Sequence, residues 1–248
     1  GDKQQAAWHF DEEIARASVA YLQGIEKRDQ FMQWNDPHRV VARARNFLTE
    51  IEWVGDGQTF EVHPAYAKTY PTVGARWGKA GEPVGHADAP IQVKHVSGPI
   101  AKVGDNRFRI QHNALAPATE EARITFMAYS AGDDEYRYTE RVGMLNASDV
   151  KVTTGKPQTI HFAPLADIKA DARPLKLQAT SDAGLPVQFH VGYGPARIAD
   201  GRLVIDEVPR RAKFPLTVQV VAYQPGRALP PRVQTAAPVV RTFSVLAP

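Results

Sequence analysis

Eight histidines, His9, His38, His63, His86, His95, His112, His161 and His190, carry most of the acid–base and metal-binding potential of this chain. No two stand at the four-residue spacing of H-E-x-x-H, which sets both imidazoles on one helix face around a metal. His9 stands close to Asp11, Glu12 and Glu13, where ligand atoms could gather, but a solvated helix start uses the same residues. His161 and His190 fall in strand-like runs and are expected on the surface or hydrogen-bonded. A Ser-His-Asp set is assembled by a fold and not by spacing. The sequence contains no G-x-S-x-G elbow, and no Gly-rich phosphate loop followed by Lys and Ser or Thr. Asp133-Asp134-Glu135 lacks the spaced oxygen ligands of a calcium loop and reads as a polar turn. The expectation is a region with no catalytic residues, no metal and no cofactor.

The binding chemistry concentrates elsewhere. His63, Tyr66, Tyr70, Arg76 and Trp77 share one irregular stretch, 63–83, that shows neither helical nor strand period. Flat aromatics on a loop can stack on sugar faces, and a guanidinium can hydrogen-bond hydroxyls or carboxylates. The same aromatics could instead pack the stretch onto a neighbouring sheet, since each buries a large area. These five residues are the candidate ligand site. Tyr136, Arg137 and Tyr138 form a second, weaker cluster, for which edge-strand packing is the simpler account. Trp53 and Phe60 are expected in a core.

The elements that must position these groups follow from local pattern. Residues 8–25 place Ile14, Ser18, Tyr21, Leu22 and Ile25 on one helical face, with Asp11 as cap and Gly24 near the stop. A second candidate helix, or a strand from Arg39, covers 37–48. Residues 51–62 then form two β-rich runs around Gly55-Asp56-Gly57, a hairpin signal. From Ala89 onward, short alternating runs separated by Gly, Pro, Asp and Asn predict strands: PIQVKHV, RFRIQ and ARITFMAYS, then QTIHF, LKLQAT, LPVQFHV, GRLVI, PLTVQVVAY and VVRTFSV. Residues 146–157 read as a linker. No helical pattern survives in the second half, and regular short strands of this kind indicate antiparallel sandwiches.

Composition narrows the function classes. The 248 residues are 43% hydrophobic and 23% charged, ordinary for a globular chain of two modules of about a hundred residues each. Thirty basic residues are interspersed with twenty-seven acids, so the net charge of +3 forms no basic stripe of the kind nucleic acid requires. No nucleic-acid partner is expected. Cysteine is absent, which excludes thiol catalysis, Cys-ligated zinc and disulfides. No apolar run approaches a membrane span, and no membrane insertion is expected. The sequence starts at Gly1 without Met or a signal-like segment, as a mature or trimmed chain would.

An internal repeat sets the architecture. Pro90-Ile91-Gln92-Val93 matches Pro186-Val187-Gln188-Phe189, and Ser97-Gly98-Pro99 matches Tyr193-Gly194-Pro195. Arg107-Phe108-Arg109-Ile110 matches Arg202-Leu203-Val204-Ile205, Phe126-Met127-Ala128-Tyr129 matches Val220-Val221-Ala222-Tyr223, and Gly132 matches Gly226. The order is kept, with offsets of 94 to 96 residues. On these residues the chain resembles the bacterial immunoglobulin-like repeats of secreted and cell-surface proteins. QTIHF, then SDAGLPV, GPA and the closing AYQPG carry the likeness over 158–245, and a less complete copy, with Ala89-Pro90 where the second has Gly184-Leu185-Pro186, spans 77–145.

The resemblance implies seven-stranded sandwiches that serve as spacers, adhesin stalks or accessory domains, without catalytic residues of their own. The expected fold is therefore mainly β: two tandem antiparallel immunoglobulin-like β-sandwiches with a short N-terminal helical segment. The expected divisions are a helical segment at 1–48, a first sandwich at 49–147 and a second at 156–248. The helical segment is either the tail of an upstream domain or a brace on the first sandwich. The expected function is a non-catalytic accessory or binding region of a secreted, periplasmic or cell-surface bacterial protein, with polysaccharide and an upstream catalytic domain as partners. Two alternatives stay open: a structural adhesin stalk, and the C-terminal part of a secreted hydrolase in which His9, His38 and His63 converge between the helical segment and the first sandwich.

Overall fold

The computed structural model describes residues 12–34, 51–71, 78–117 and 122–248. Helix α1 (Glu12–Gln23) leads into β1 (Met32–Trp34), the hairpin β2 (Glu52–Val54) and β3 (Thr59–Glu61), and the short β4 (Pro64–Tyr66). Then come β5 (Gln92–Ser97), β6 (Ile100–Gly104), β7 (Arg107–Ile110), β8 (Arg123–Ser130) and β9 (Thr139–Asn146), closed by a single 3-10 turn at Ala147–Val150. These strands form the sheets β2-β3-β7-β6, β5-β8-β9 and β1-β4, with every pair antiparallel. Between them lies one apolar core in which Phe60, Phe108 and Phe126 are wholly buried. Phe126 packs edge-on against both other rings. Burial of this kind contributes about 2 kcal/mol or more for each large apolar side chain.

The second half repeats the plan. It comprises β10 (Ile160–Phe162), β11 (Ile168–Lys169), β12 (Leu175–Lys176), β13 (Ala179–Ser181), β14 (Gln188–Tyr193), β15 (Ala196–Ala199), β16 (Arg202–Ile205), β17 (Leu216–Tyr223) and β18 (Val239–Leu246). Its sheets are β11-β18-β17-β14, β12-β16-β15 and β10-β13, around a second core that includes Phe162, Leu203, Val218, Val220 and Phe243. All pairs are antiparallel except β11 with β18. The fold class is thus mainly β, two immunoglobulin-like sandwiches with, among the described residues, one short helix ahead of them.

The repeat read from the sequence reappears as register. Gln92 faces Tyr129 across β5 and β8, and Gln188 faces Tyr223 across β14 and β17. The register slips at the equivalent place in both pairs, between His95 and Ser97 and between Val191 and Tyr193. Gly98 and Gly194 then turn with φ of 108° and 100°. A Cβ on either would lie 2.5 Å from the Arg123 carbonyl oxygen or 2.4 Å from that of Thr217, so the turn demands glycine twice over.

Several local expectations are modified by long-range packing. The helical pattern of 8–25 gives α1, but on its apolar face Leu22 is 66% exposed and Ile25 44%. The helix is held by its end, where Gly24 abuts Arg137 and the Tyr21 ring lies 4.5 Å from the Arg137 guanidinium. Met32 and Trp34, within the span 1–48, form β1 and sit in the first core. The stretch 63–83 is not wholly irregular, because β4 pairs with β1. The residues expected as a linker are fastened in place: Val152 and Lys156 exchange backbone hydrogen bonds with Arg232, Gln234 and Thr235. The candidate helix at 37–48 and the cap Asp11 lie outside the described residues.

Candidate functional site

Of the five residues proposed as a ligand site, Arg76 and Trp77 lie outside the described residues; His63, Tyr66 and Tyr70 are placed. Tyr66 ends β4 and is committed to packing. Its ring stacks on His86 at 4.2 Å with the planes 4° apart, and its hydroxyl donates to the Ala89 carbonyl at 2.6 Å and meets Ser130 Oγ at 2.7 Å. Tyr70 stands edge-on to Phe31 at 5.7 Å, and its backbone N–H donates to Glu82. It also borders an open depression with Lys27, Arg28, Val84 and Tyr136. His63 lies in the connection between β3 and β4.

His63 stands beside two acids instead. Glu52 and Glu61 face each other across β2 and β3, and His63 follows Glu61 by two residues, on the same side of the sheet. His63 Nε2 lies 3.1 Å from Glu52 Oε2 and 3.9 Å from Glu61 Oε2. Among the described residues this is the group whose His and carboxylate atoms converge as metal ligands could. Spacing along the chain does not reveal it, because Glu52 joins only through hairpin register.

The weaker cluster resolves into structure. Arg137 is buried in an ion pair with Asp29, and Gln30 bridges the Arg137 carbonyl and the Ala87 N–H at 2.8 and 2.9 Å. Tyr138 is buried and donates to Glu140 at 2.7 Å; burial raises its phenol above the ordinary range. The Asp133 carboxylate accepts the N–H groups of Glu135 and Tyr136, as a polar turn does.

A cleft of about 510 Å³ opens where the two sandwiches meet, lined by Ile110, His112, Val150, Tyr223, Gln224 and Thr235 among others. The His112 backbone N–H donates to the Tyr223 hydroxyl at 3.1 Å, and that hydroxyl is 3.0 Å from Gln188 Oε1. The His112 ring meets Tyr223 edge-on at 4.6 Å and stands 6.1 Å from the ring of His190. His190 is 3% exposed, against the expectation of a surface or hydrogen-bonded histidine, and neither ring nitrogen has a hydrogen-bond partner. The reason lies in the junction. His190 and Gln188 occupy the outer face of β14, which the sequence pattern marks as polar and solvated but which the first sandwich covers. Burial, with the neighbouring His190 second, pushes the His112 imidazole down to about 4. Burial likewise lowers His190 and raises the Tyr223 phenol.

His9 and His38, invoked for an enzyme site with His63, lie outside the described residues.

No protein-family model matches the chain, and no curated protein matches it. Among solved structures it is similar to human protocadherin-24 EC1-2, at 10% identity and a TM-score of 0.29, over 88% of this chain and 98% of that one. It is also similar to Drosophila N-cadherin EC1-3, at 11% identity and a TM-score of 0.27, over 89% of this chain and 65% of that one. A third likeness, to mouse cadherin-23 EC22-24, has 15% identity and a TM-score of 0.26 over 88% of this chain and 67% of that one. The strand pairing above, not these likenesses, defines the fold.

Proposed function

We propose that this chain is a non-catalytic binding and spacer region, in which two immunoglobulin-like sandwiches are locked end to end as one rigid unit. The observation that carries the reading is the junction. The hairpin tip of the first sandwich docks on the second, with the Ala228 N–H donating to the Gly57 carbonyl at 2.8 Å. Gly57 has a φ of 72°, and a Cβ there would lie 2.8 Å from both Arg227 Cγ and Leu229 N. A second tie, from His112 to Tyr223, lies apart from the first. Two ties and a fastened connecting segment oppose the relative motion that is the default for sandwiches joined by a free linker.

The sequence divisions at 49–147, joined by β1 (Met32–Trp34), and 156–248 serve this reading as the two bodies, with α1 as a brace hung on Arg137. Secretion by a bacterium, and an upstream catalytic domain as partner, rest on the resemblance of 158–245 to bacterial repeats. Carbohydrate is the proposed ligand class, supported by the aromatic content of 63–83; Tyr66 serves there as a packing residue, which leaves His63, Tyr70, Arg76 and Trp77 for contact. Residual dipolar couplings on the full chain test the central reading. One common alignment tensor for both sandwiches is expected, and two independent tensors would overturn it. Affinity gels with a polysaccharide panel test the ligand class, and no retardation on any of them removes it.

A further inference from the structure

We infer that Glu52, Glu61 and His63 form a binding site for a divalent transition-metal ion, with Zn²⁺ the ion best matched to one imidazole and two carboxylates. Three observations bear on it together. The first is geometric: one ligand atom from each residue lies within 4.8 Å of the others, with 3.1 Å from His63 Nε2 to Glu52 Oε2. Ligand atoms at about 2.0–2.2 Å from a tetrahedral Zn²⁺ stand about 3.3 Å from one another.

The second observation is electrostatic. Glu52 and Glu61 are directly opposite in antiparallel register, an arrangement of like charges that costs stability unless a cation offsets it. Arg107 offsets part of it, but it engages Glu61 through Oε1. Glu61 Oε2 is left turned toward His63 at 3.9 Å. The Arg107 contact therefore aims the free oxygen, much as hydrogen-bonded partners outside a metal shell orient carboxylate ligands.

The third is the support beneath the ligands. Between Glu61 and His63 sits Val62, and beside them Phe60, both wholly buried on the opposite face. β3 is paired on both edges, with β2 and with β7. Glu61 in β3 and Glu52 in the paired β2 thus project from a sheet backed by the core, with His63 just beyond the end of β3, and sites on such elements keep their geometry better than sites on loops. The ligand set narrows the ion: imidazole favours Zn²⁺, Cu²⁺ and Ni²⁺ over Ca²⁺ and Mg²⁺, and the lack of a thiolate turns the site away from Cu⁺. Three protein ligands leave a fourth position for solvent or for a group on a partner.

The test is isothermal titration of the full chain with ZnCl2 in a non-chelating buffer near pH 7.5, beside the same titration with CaCl2. One Zn²⁺ per chain is expected, with no heat from Ca²⁺. His63→Ala and Glu52→Gln should each weaken the Zn²⁺ affinity by at least about tenfold, the scale on which ligand and near-ligand changes act. His161→Ala, an exposed histidine in the second sandwich, should leave it unchanged. Circular dichroism of each variant establishes that it is folded. Absence of Zn²⁺ binding, or the same affinity in the folded His63→Ala and Glu52→Gln variants, would overturn the site.

Discussion

Arg137 and Asp29 form an ion pair whose side chains are only 8% and 1% exposed, closing the contact between the segment after α1 and the β8–β9 connection. The backbone runs alongside: the Arg28 N–H donates to the Glu135 carbonyl at 2.9 Å and the Arg137 N–H to the Arg28 carbonyl at 3.0 Å. Desolvating two charges is costly, so the net contribution of such a pair is small while both partners are present. Removing one partner strands the other. Asp29→Ala or Arg137→Ala should therefore cost about 3–5 kcal/mol of unfolding free energy. The double change Asp29→Ala with Arg137→Ala should cost much less than the sum. Urea titrations of the four proteins decide this, and an additive result would show that the two residues do not act as a pair.

Acid should loosen the junction. His112 titrates near 6.5 when unfolded and is held down to about 4 in the folded chain, so between these values the unfolded state binds more protons. Stability is accordingly full above pH 6.5 and falls as the pH drops from 6.5 toward 4, by up to about 3 kcal/mol for this residue. His190 is shifted in the same direction and steepens the fall. His112→Phe, which keeps a ring against Tyr223, should flatten this limb. Denaturant midpoints measured at half-unit steps from pH 4.5 to 7.5 test both sign and size.

The two equivalent tyrosine hydroxyls should differ in worth. Tyr223 is buried and meets both Gln188 and the His112 N–H, whereas Tyr129 meets Gln92 at 2.8 Å in an exposed setting. Tyr223→Phe leaves a buried donor without its acceptor and should cost about 1–3 kcal/mol. Tyr129→Phe should cost under about 1 kcal/mol, because water replaces the lost partner. Equal losses on thermal unfolding would contradict the difference in burial.

Gly194→Ala should be among the most damaging single-atom additions to the second sandwich. The residue holds a φ of 100°, and the new Cβ would sit 2.4 Å from the Thr217 carbonyl oxygen. Strained φ alone costs about 1–3 kcal/mol, and the clash adds to it. Gly201→Ala, at a φ of 70° with nothing near the added carbon, isolates the conformational part and should cost less. Comparison of their melting temperatures separates the two contributions.

The strands from 89 onward were legible because their information is local: alternation of Ile124, Phe126 and Ala128 with Thr125, Met127 and Tyr129 marks a core-facing side wherever the strand ends up. The same logic gave α1 but not the setting of its stripe, where Leu22 and Ile25 are exposed. It misled at His190, placed on a face that alternation calls polar. The candidate loop 63–83 was legible as unusual, but which of its aromatics were free was not. Tyr66 is consumed by His86 and Ser130, the latter sixty-four residues away in sequence.

Sequence alone determined the mainly β class, the hairpin at Gly55-Asp56-Gly57 and the duplication, because strand period, turn-forming residues and self-similarity are all written within a few residues of each other. Only the tertiary structure decided what meets across the chain: Asp29 with Arg137, His112 with His190 and Tyr223, and Glu52 with His63. These contacts join separate strands or separate sandwiches. Their chemistry depends on register and docking, and on the exclusion of water that docking brings. No local pattern encodes those.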